Sequence, residues 1–69
     1  DWDGARQQFE SVVNKFADSP KRSDAILKLG MVEKSVNNKA KAKRLFEQVV
    51  AEYPDSTPSR LANEQLKSL

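Results

Sequence analysis

Between residues 3 and 17 the apolar positions fall at Ala5, Phe9, Val12, Val13 and Phe16. That spacing traces one face of a 3.6-residue helix and lacks the alternation of a strand face. It predicts a first helix over 3–17, with Asp1 or Asp3 placed to cap its first turn, where a carboxylate meets free N–H groups and the positive end of the helix dipole. The helix ends before Asp18-Ser19-Pro20, with Ser19 as the next N-cap and Pro20 in a first helical position, where its missing N–H costs nothing.

A second helix is predicted from Pro20 to Val36. Its apolar residues Ala25, Ile26, Leu27, Leu29, Met31, Val32 and Val36 cover more than one stripe, so it is expected to be buried on two sides. Gly30 in its middle costs a helix about 1 kcal/mol against Ala, and a close helix crossing is the expected compensation. Asn37-Asn38 forms a short turn, since Asn tolerates left-handed backbone angles. A third helix over 39–53 carries Ala42, Leu45, Phe46, Val49, Val50 and Tyr53 on one face, and Pro54 stops it. A fourth begins after Asp55 with Ser56 or Thr57 as cap and runs from about 57 to 69, with Leu61, Ala62, Leu66 and Leu69 expected to face inward.

Residues 3–32 laid over 40–69 without a gap match Ala5 with Ala42, Phe9 with Phe46, Glu10 with Glu47, Val12 with Val49, Val13 with Val50, Asp18 with Asp55, Ser19 with Ser56, Ala25 with Ala62 and Leu29 with Leu66. A period of 37 residues marks a stacked-repeat protein, in which each unit buries its apolar face against its neighbours. Short loops between helices of this length force antiparallel neighbours. The expected fold is all-α, a truncated solenoid of about four helices in antiparallel hairpins: residues 1–17 the second helix of a partial repeat, 20–54 a complete repeat, and 57–69 a terminal or capping helix.

A chain of 69 residues is one small domain that buries only about 60% of its unfolded surface, too little for a deep enclosed active site. Twelve basic and ten acidic residues leave a net charge of +2, too small and too evenly spread to point to a phosphate backbone as partner. No apolar run approaches the roughly 20 residues of a membrane helix. The chain starts at Asp1 in what reads as the middle of a repeat, and is expected to be a piece of a longer protein.

These residues resemble the tetratricopeptide repeat, whose pattern is carried here in register: Ile26 at the large apolar position, Leu29-Gly30 as its Leu-Gly, Ala42 and Phe46 as its Ala-x3-Phe, and Pro54 as its terminal Pro. Glu33 departs from the pattern, standing where an aromatic is usual. The junctions Phe16-Ala17-Asp18-Ser19-Pro20 and Tyr53-Pro54-Asp55-Ser56, each followed by a helix with Ala-x3-Leu, are similar to a bacterial envelope subgroup. That subgroup includes the periplasmic Tol-Pal-associated coordinators of peptidoglycan synthesis with outer-membrane constriction during cell division, and the lipoproteins of outer-membrane assembly. The resemblance implies a periplasmic scaffold that binds a protein or peptide, with an envelope Tol-Pal component as partner.

The absence of His and Cys removes the usual general base, thiol nucleophile and transition-metal ligands. No catalytic, cofactor or metal site is expected, and the aspartates at helix starts, Asp1, Asp3, Asp18, Asp24 and Asp55, read as caps. Lys39, Lys41, Lys43 and Arg44 crowd the start of the third helix; they read as a solvated surface, against an acidic-partner or nucleic-acid site that would want stacking aromatics. Trp2 either packs over a hairpin turn or touches a ligand. The family resemblance places a partner groove on the second and fourth helices, at Asp24, Leu27, Met31, Lys34, Ser35, Leu61, Glu64 and Ser68. Leu27 and Met31, four apart, are either an exposed apolar strip for a partner or packing against the fourth helix. The competing expectation is self-assembly through the open end, where Phe9, Val12 or Phe16 is incompletely covered.

Overall fold

The computed structural model describes residues 2–15 and 20–69, without the side chains of Lys15 and Pro20. The expectations that rest on Asp1, Phe16, Ala17, Asp18 and Ser19 lie outside the described residues. Four helices and no strand make up the described chain: α1 (Trp2–Lys15), α2 (Pro20–Ser35), α3 (Lys39–Glu52) and α4 (Thr57–Lys67). Each helix packs on the next in sequence, and α2 also touches α4. None is long and apolar enough to cross a membrane.

The core lies where α2, α3 and α4 meet. Ile26 and Leu27 pack with Ala42, Phe46, Val49 and Ala62, and Val13, Leu45, Val50, Tyr53 and Leu66 close its edges. Phe46 sits directly beneath Gly30: a Cβ there would stand 2.6 Å from Phe46 Cε1 and 2.9 Å from Cδ1. The glycine thus allows the close crossing its sequence position predicted, and the ring fills the space a side chain would take.

Both connections that the structure describes are built from local hydrogen bonds. Asn37 takes φ of 64°, its N–H donates to the Lys34 carbonyl at 3.0 Å, and the Asn38 N–H donates to the Glu33 carbonyl at 2.7 Å. This pair of bonds is a Schellman motif closing α2. Between α3 and α4, Ser56 Oγ accepts from the Ser59 N–H at 3.1 Å and donates to the Tyr53 carbonyl at 2.7 Å. Ser56, rather than Thr57, is therefore the cap of α4.

Three expectations, two about facing and one about capping, need correction. Leu61 is 49% and Leu69 37% exposed: Ala62, Leu66 and Ser59 hold the inward stripe, Leu61 lies about 100° around the helix from Ala62, and Leu69 falls beyond the last turn. Met31 and Val36 leave part of the α2 apolar surface open, at 44% and 36% exposure. Asp24 does not cap a helix; it lies one turn inside α2 and pairs with Lys28 at 3.0 Å.

Candidate functional site

Along α1, Phe9 and Val12 point the same way as their counterparts Phe46 and Val49 on α3, yet they are only half-buried because, among the described residues, α1 packs on α2 alone. The uncovered surface forms a groove between the two helices. One end, of about 340 Å³, is lined by Trp2, Phe9, Lys28, Met31, Val32 and Ser35. The other, of about 300 Å³, continues past Phe9 and Lys28 to Val12, Ala25, Asp24 and Lys21. Trp2 is 52% exposed, so an aromatic and a thioether, Met31, stand open side by side over an apolar floor.

A buried ion pair fixes α1 on α2 and so sets the width of the groove. Glu33 is fully buried and accepts from Arg6 Nε at 2.6 Å, Arg6 Nη2 at 3.1 Å and Asn38 Nδ2 at 3.2 Å, with Lys41 Nζ at 3.6 Å. Burial pushes this carboxyl up, but Arg6, Lys41 and Asn38 outweigh it and hold Glu33 below the usual carboxylate range. Arg6 also donates to Asp3 Oδ1 at 3.1 Å, and its pKa is raised, first by the hydrogen bonds to Glu33. An enclosed carboxylate kept ionised by three partners is a structural charge, unsuited to giving or taking protons. A second clamp joins α2 to the end of α3, where Arg22 donates to Glu52 and, at 3.1 Å, to the Tyr53 hydroxyl.

The residues expected to form one groove are divided by the structure. Asp24, Met31 and Ser35 line the α1–α2 groove. Leu27 is buried at 3% exposure in the core, so its side chain packs against α3 and α4 and is not an exposed anchor. Lys34 reaches across to α4, donating to Gln65 Oε1 at 2.7 Å and Ser68 Oγ at 3.1 Å. Leu61 and Glu64 are exposed on α4. Trp2 opens onto the groove, in keeping with the ligand-facing alternative for that residue.

Phe9, Lys28 and Val32 were not among the expected groove residues, although the half-covered α1 face signalled Phe9. The Glu33 cluster was signalled only by its departure from the aromatic pattern. Lys41, read as part of a solvated cluster, spends its charge on Glu33, whereas Lys39, Lys43 and Arg44 are exposed.

A search of curated proteins and of solved structures returns no match to the chain. The Tetratricopeptide repeat family matches residues 24–56, from the middle of α2 through α3 to the cap of α4. With its Gly30–Phe46 crossing and its antiparallel α2–α3 hairpin, this segment of the chain is a tetratricopeptide repeat.

Proposed function

We propose that this chain is a non-catalytic protein-interaction module that takes a segment of a partner protein into the groove between α1 and α2, as part of a periplasmic scaffold linked to the Tol-Pal system. Repeats of this kind generally serve protein–protein interaction, and the single observation that carries the reading is the open apolar groove in which Trp2 and Met31 stand exposed together. Asp24, Met31 and Ser35 keep the role first expected of them. Lys34 and Ser68 serve instead as a strut between α2 and α4, and Leu61 and Glu64 are left as a minor surface on α4. The envelope assignment is supported by the Tyr53-Pro54-Asp55-Ser56 junction and its counterpart one repeat earlier.

Trp2 is the chain's sole tryptophan, so its fluorescence reports occupancy of the groove. Titration with the purified periplasmic domains of Tol-Pal components is expected to give a saturable blue shift that Met31→Asp abolishes. No shift with any of them at about 100 μM, a concentration that would detect even weak contacts, removes the Tol-Pal assignment. Binding undiminished by Met31→Asp removes the groove. Light scattering over a range of concentrations is expected to give the mass of one chain; a concentration-dependent dimer would favour self-assembly.

A further inference from the structure

Lys39, Lys43 and Arg44 are exposed at the start of α3 and have no ion-pair partner among the described residues. The fourth cation of that stretch, Lys41, is drawn to Glu33 at 3.6 Å. Lys39 stands at the positive end of the helix dipole, and the first turn of α3 holds no acid to offset it. Asn38, the N-cap, makes no side-chain cap bond; its amide donates to Glu33 instead. Local stability is therefore not what these cations supply.

The repeat separates what the fold needs from what is added to it. Helix α1 begins with Trp2, Asp3, Arg6 and Gln7 at the positions of Lys39, Ala40, Lys43 and Arg44. Its first turn holds an acid, Asp3, and its cation Arg6 is taken up by Asp3 and Glu33. A helix start in this stack thus folds with one paired cation where α3 carries three unpaired ones. Nor does the openness depend on where in the stack the helix lies. Lys39 and Arg44 are exposed with α2 and α4 both packed on α3, and Trp2 and Gln7 are exposed with α2 packed on α1. These positions face outward in the repeat itself.

Resting on the protein-interaction reading but on a different face from the groove, we infer that the start of α3 receives an acidic segment of a partner protein, its carboxylates meeting Lys39, Lys43 and Arg44. The extent of the patch decides for a short peptide over a polyanion. Residues 39 to 44 span about 8 Å of helix, and Glu47, exposed one turn beyond Lys43 on the same side, ends the positive field. A nucleic-acid backbone or an anionic membrane extends past that length and would meet Glu47. The sole aromatic of the stretch, Phe46, is buried, so no base can stack there. A short acidic segment fits, with a neutral or basic residue opposite Glu47. Exposed ion pairs are individually weak, so the patch sets the orientation and rate of encounter more than the affinity.

The test follows backbone amide shifts of the isotope-labelled chain by NMR as a glutamate-rich peptide of about 12 residues is added in about 20 mM salt. Saturable shifts are expected at residues 38–47, with affinity falling at least about tenfold in about 150 mM salt. Lys39→Gln with Arg44→Gln is expected to abolish them. Lys21→Gln with Arg60→Gln, the same charge change at the opposite end of the bundle, is expected to leave affinity within about twofold. Both double variants are expected to melt close to the parent, which separates lost binding from lost folding. Absence of saturable shifts at about 1 mM peptide overturns the proposal. Equal weakening by the two pairs of changes also overturns it, by reducing the effect to net charge. Duplex DNA or anionic vesicles that bind the same residues as tightly as the peptide overturn it in favour of a polyanion. Met31→Asp is expected to leave this titration unchanged, so the acidic-segment reading and the groove reading fail separately.

Discussion

Arg6 and Glu33, 27 residues apart in sequence, meet through two hydrogen bonds of 2.6 and 3.1 Å that join α1 to α2. Their exposures are unequal: the Arg6 side chain is 28% exposed and that of Glu33 is fully buried. The two partners are therefore not equivalent to lose. Arg6→Met leaves an ionised carboxylate buried with Asn38 and Lys41 alone, which is expected to lower Tm by on the order of 5–10 °C in a domain of this size. Adding Glu33→Leu removes the stranded charge and fills its site, so the double variant is expected to melt above Arg6→Met. Thermal unfolding of the three proteins checks this; a double variant that melts below Arg6→Met would show that Glu33 stabilises the junction without Arg6.

The same cluster sets the response to acid. Glu33 is held below its ordinary value of about 4.5 although burial opposes this, and Glu52 is held down by the Arg22 and Gln48 hydrogen bonds. A carboxyl whose folded pKa is depressed contributes stability that is fully present above its unfolded pKa and is lost as pH falls through the folded value. Arg6, whose pKa is raised by its hydrogen bonds to Glu33, stays charged throughout this range. Urea unfolding is expected to give a level stability from about pH 6 to 5 and a fall below about 4.5, shallower in Glu33→Gln and in Glu52→Gln. An unchanged slope in both variants would place the acid sensitivity elsewhere.

The helices were legible because apolar periodicity is a local signal, and the match of Phe9 to Phe46 and of Val12 to Val49 fixed which face turned inward. Leu27 was not settled by that signal. On a helix that touches neighbours on several sides, spacing says that a residue is on a stripe but not which neighbour covers it, and here α3 and α4 together bury it. Leu61 misled for the opposite reason, since α4 has inner neighbours only and an apolar residue one position from Ala62 points away from them. Glu33 was visible as an anomaly without a partner, because nothing in local spacing connects α2 to Arg6 on another helix. The groove was half legible: the thin coverage of α1 could be read, but the pairing of Trp2 with Met31 depends on how α1 crosses α2.

Gly30→Ala tests whether the α2–α3 crossing is as tight as its geometry. Alanine gains about 1 kcal/mol of helix propensity, but its Cβ would stand 2.6 Å from a Phe46 ring atom in a residue at 0% exposure, with nowhere for the ring to go. Overpacking of that kind costs about 1–3 kcal/mol, so a net loss of about 1 kcal/mol is expected in denaturant unfolding. Combining the change with Phe46→Leu removes the clashing ring atoms, and the two substitutions together are expected to cost less than the sum of their separate losses. Strict additivity would mean that the ring moves aside freely.

Two serines three residues apart at the start of α4 are expected to respond to alanine with opposite signs. Ser56 Oγ caps the helix by accepting from the Ser59 N–H and also donates to the Tyr53 carbonyl, tying the end of α3 to the start of α4. Its loss is expected to cost about 1 kcal/mol, within the usual range for an N-cap. Ser59 is 1% exposed, and its Oγ has no hydrogen-bond partner among the described residues. Its burial carries the desolvation penalty of a hydroxyl without the return of a bond, while its backbone N–H, which makes the cap contact, survives substitution. Ser59→Ala is therefore expected to be neutral or to stabilise by up to about 1 kcal/mol, measured as a shift of the urea midpoint at constant slope. A loss of stability as large as that of Ser56→Ala would mean that the Ser59 hydroxyl is bonded in solution, and would point to an ordered water behind the cap.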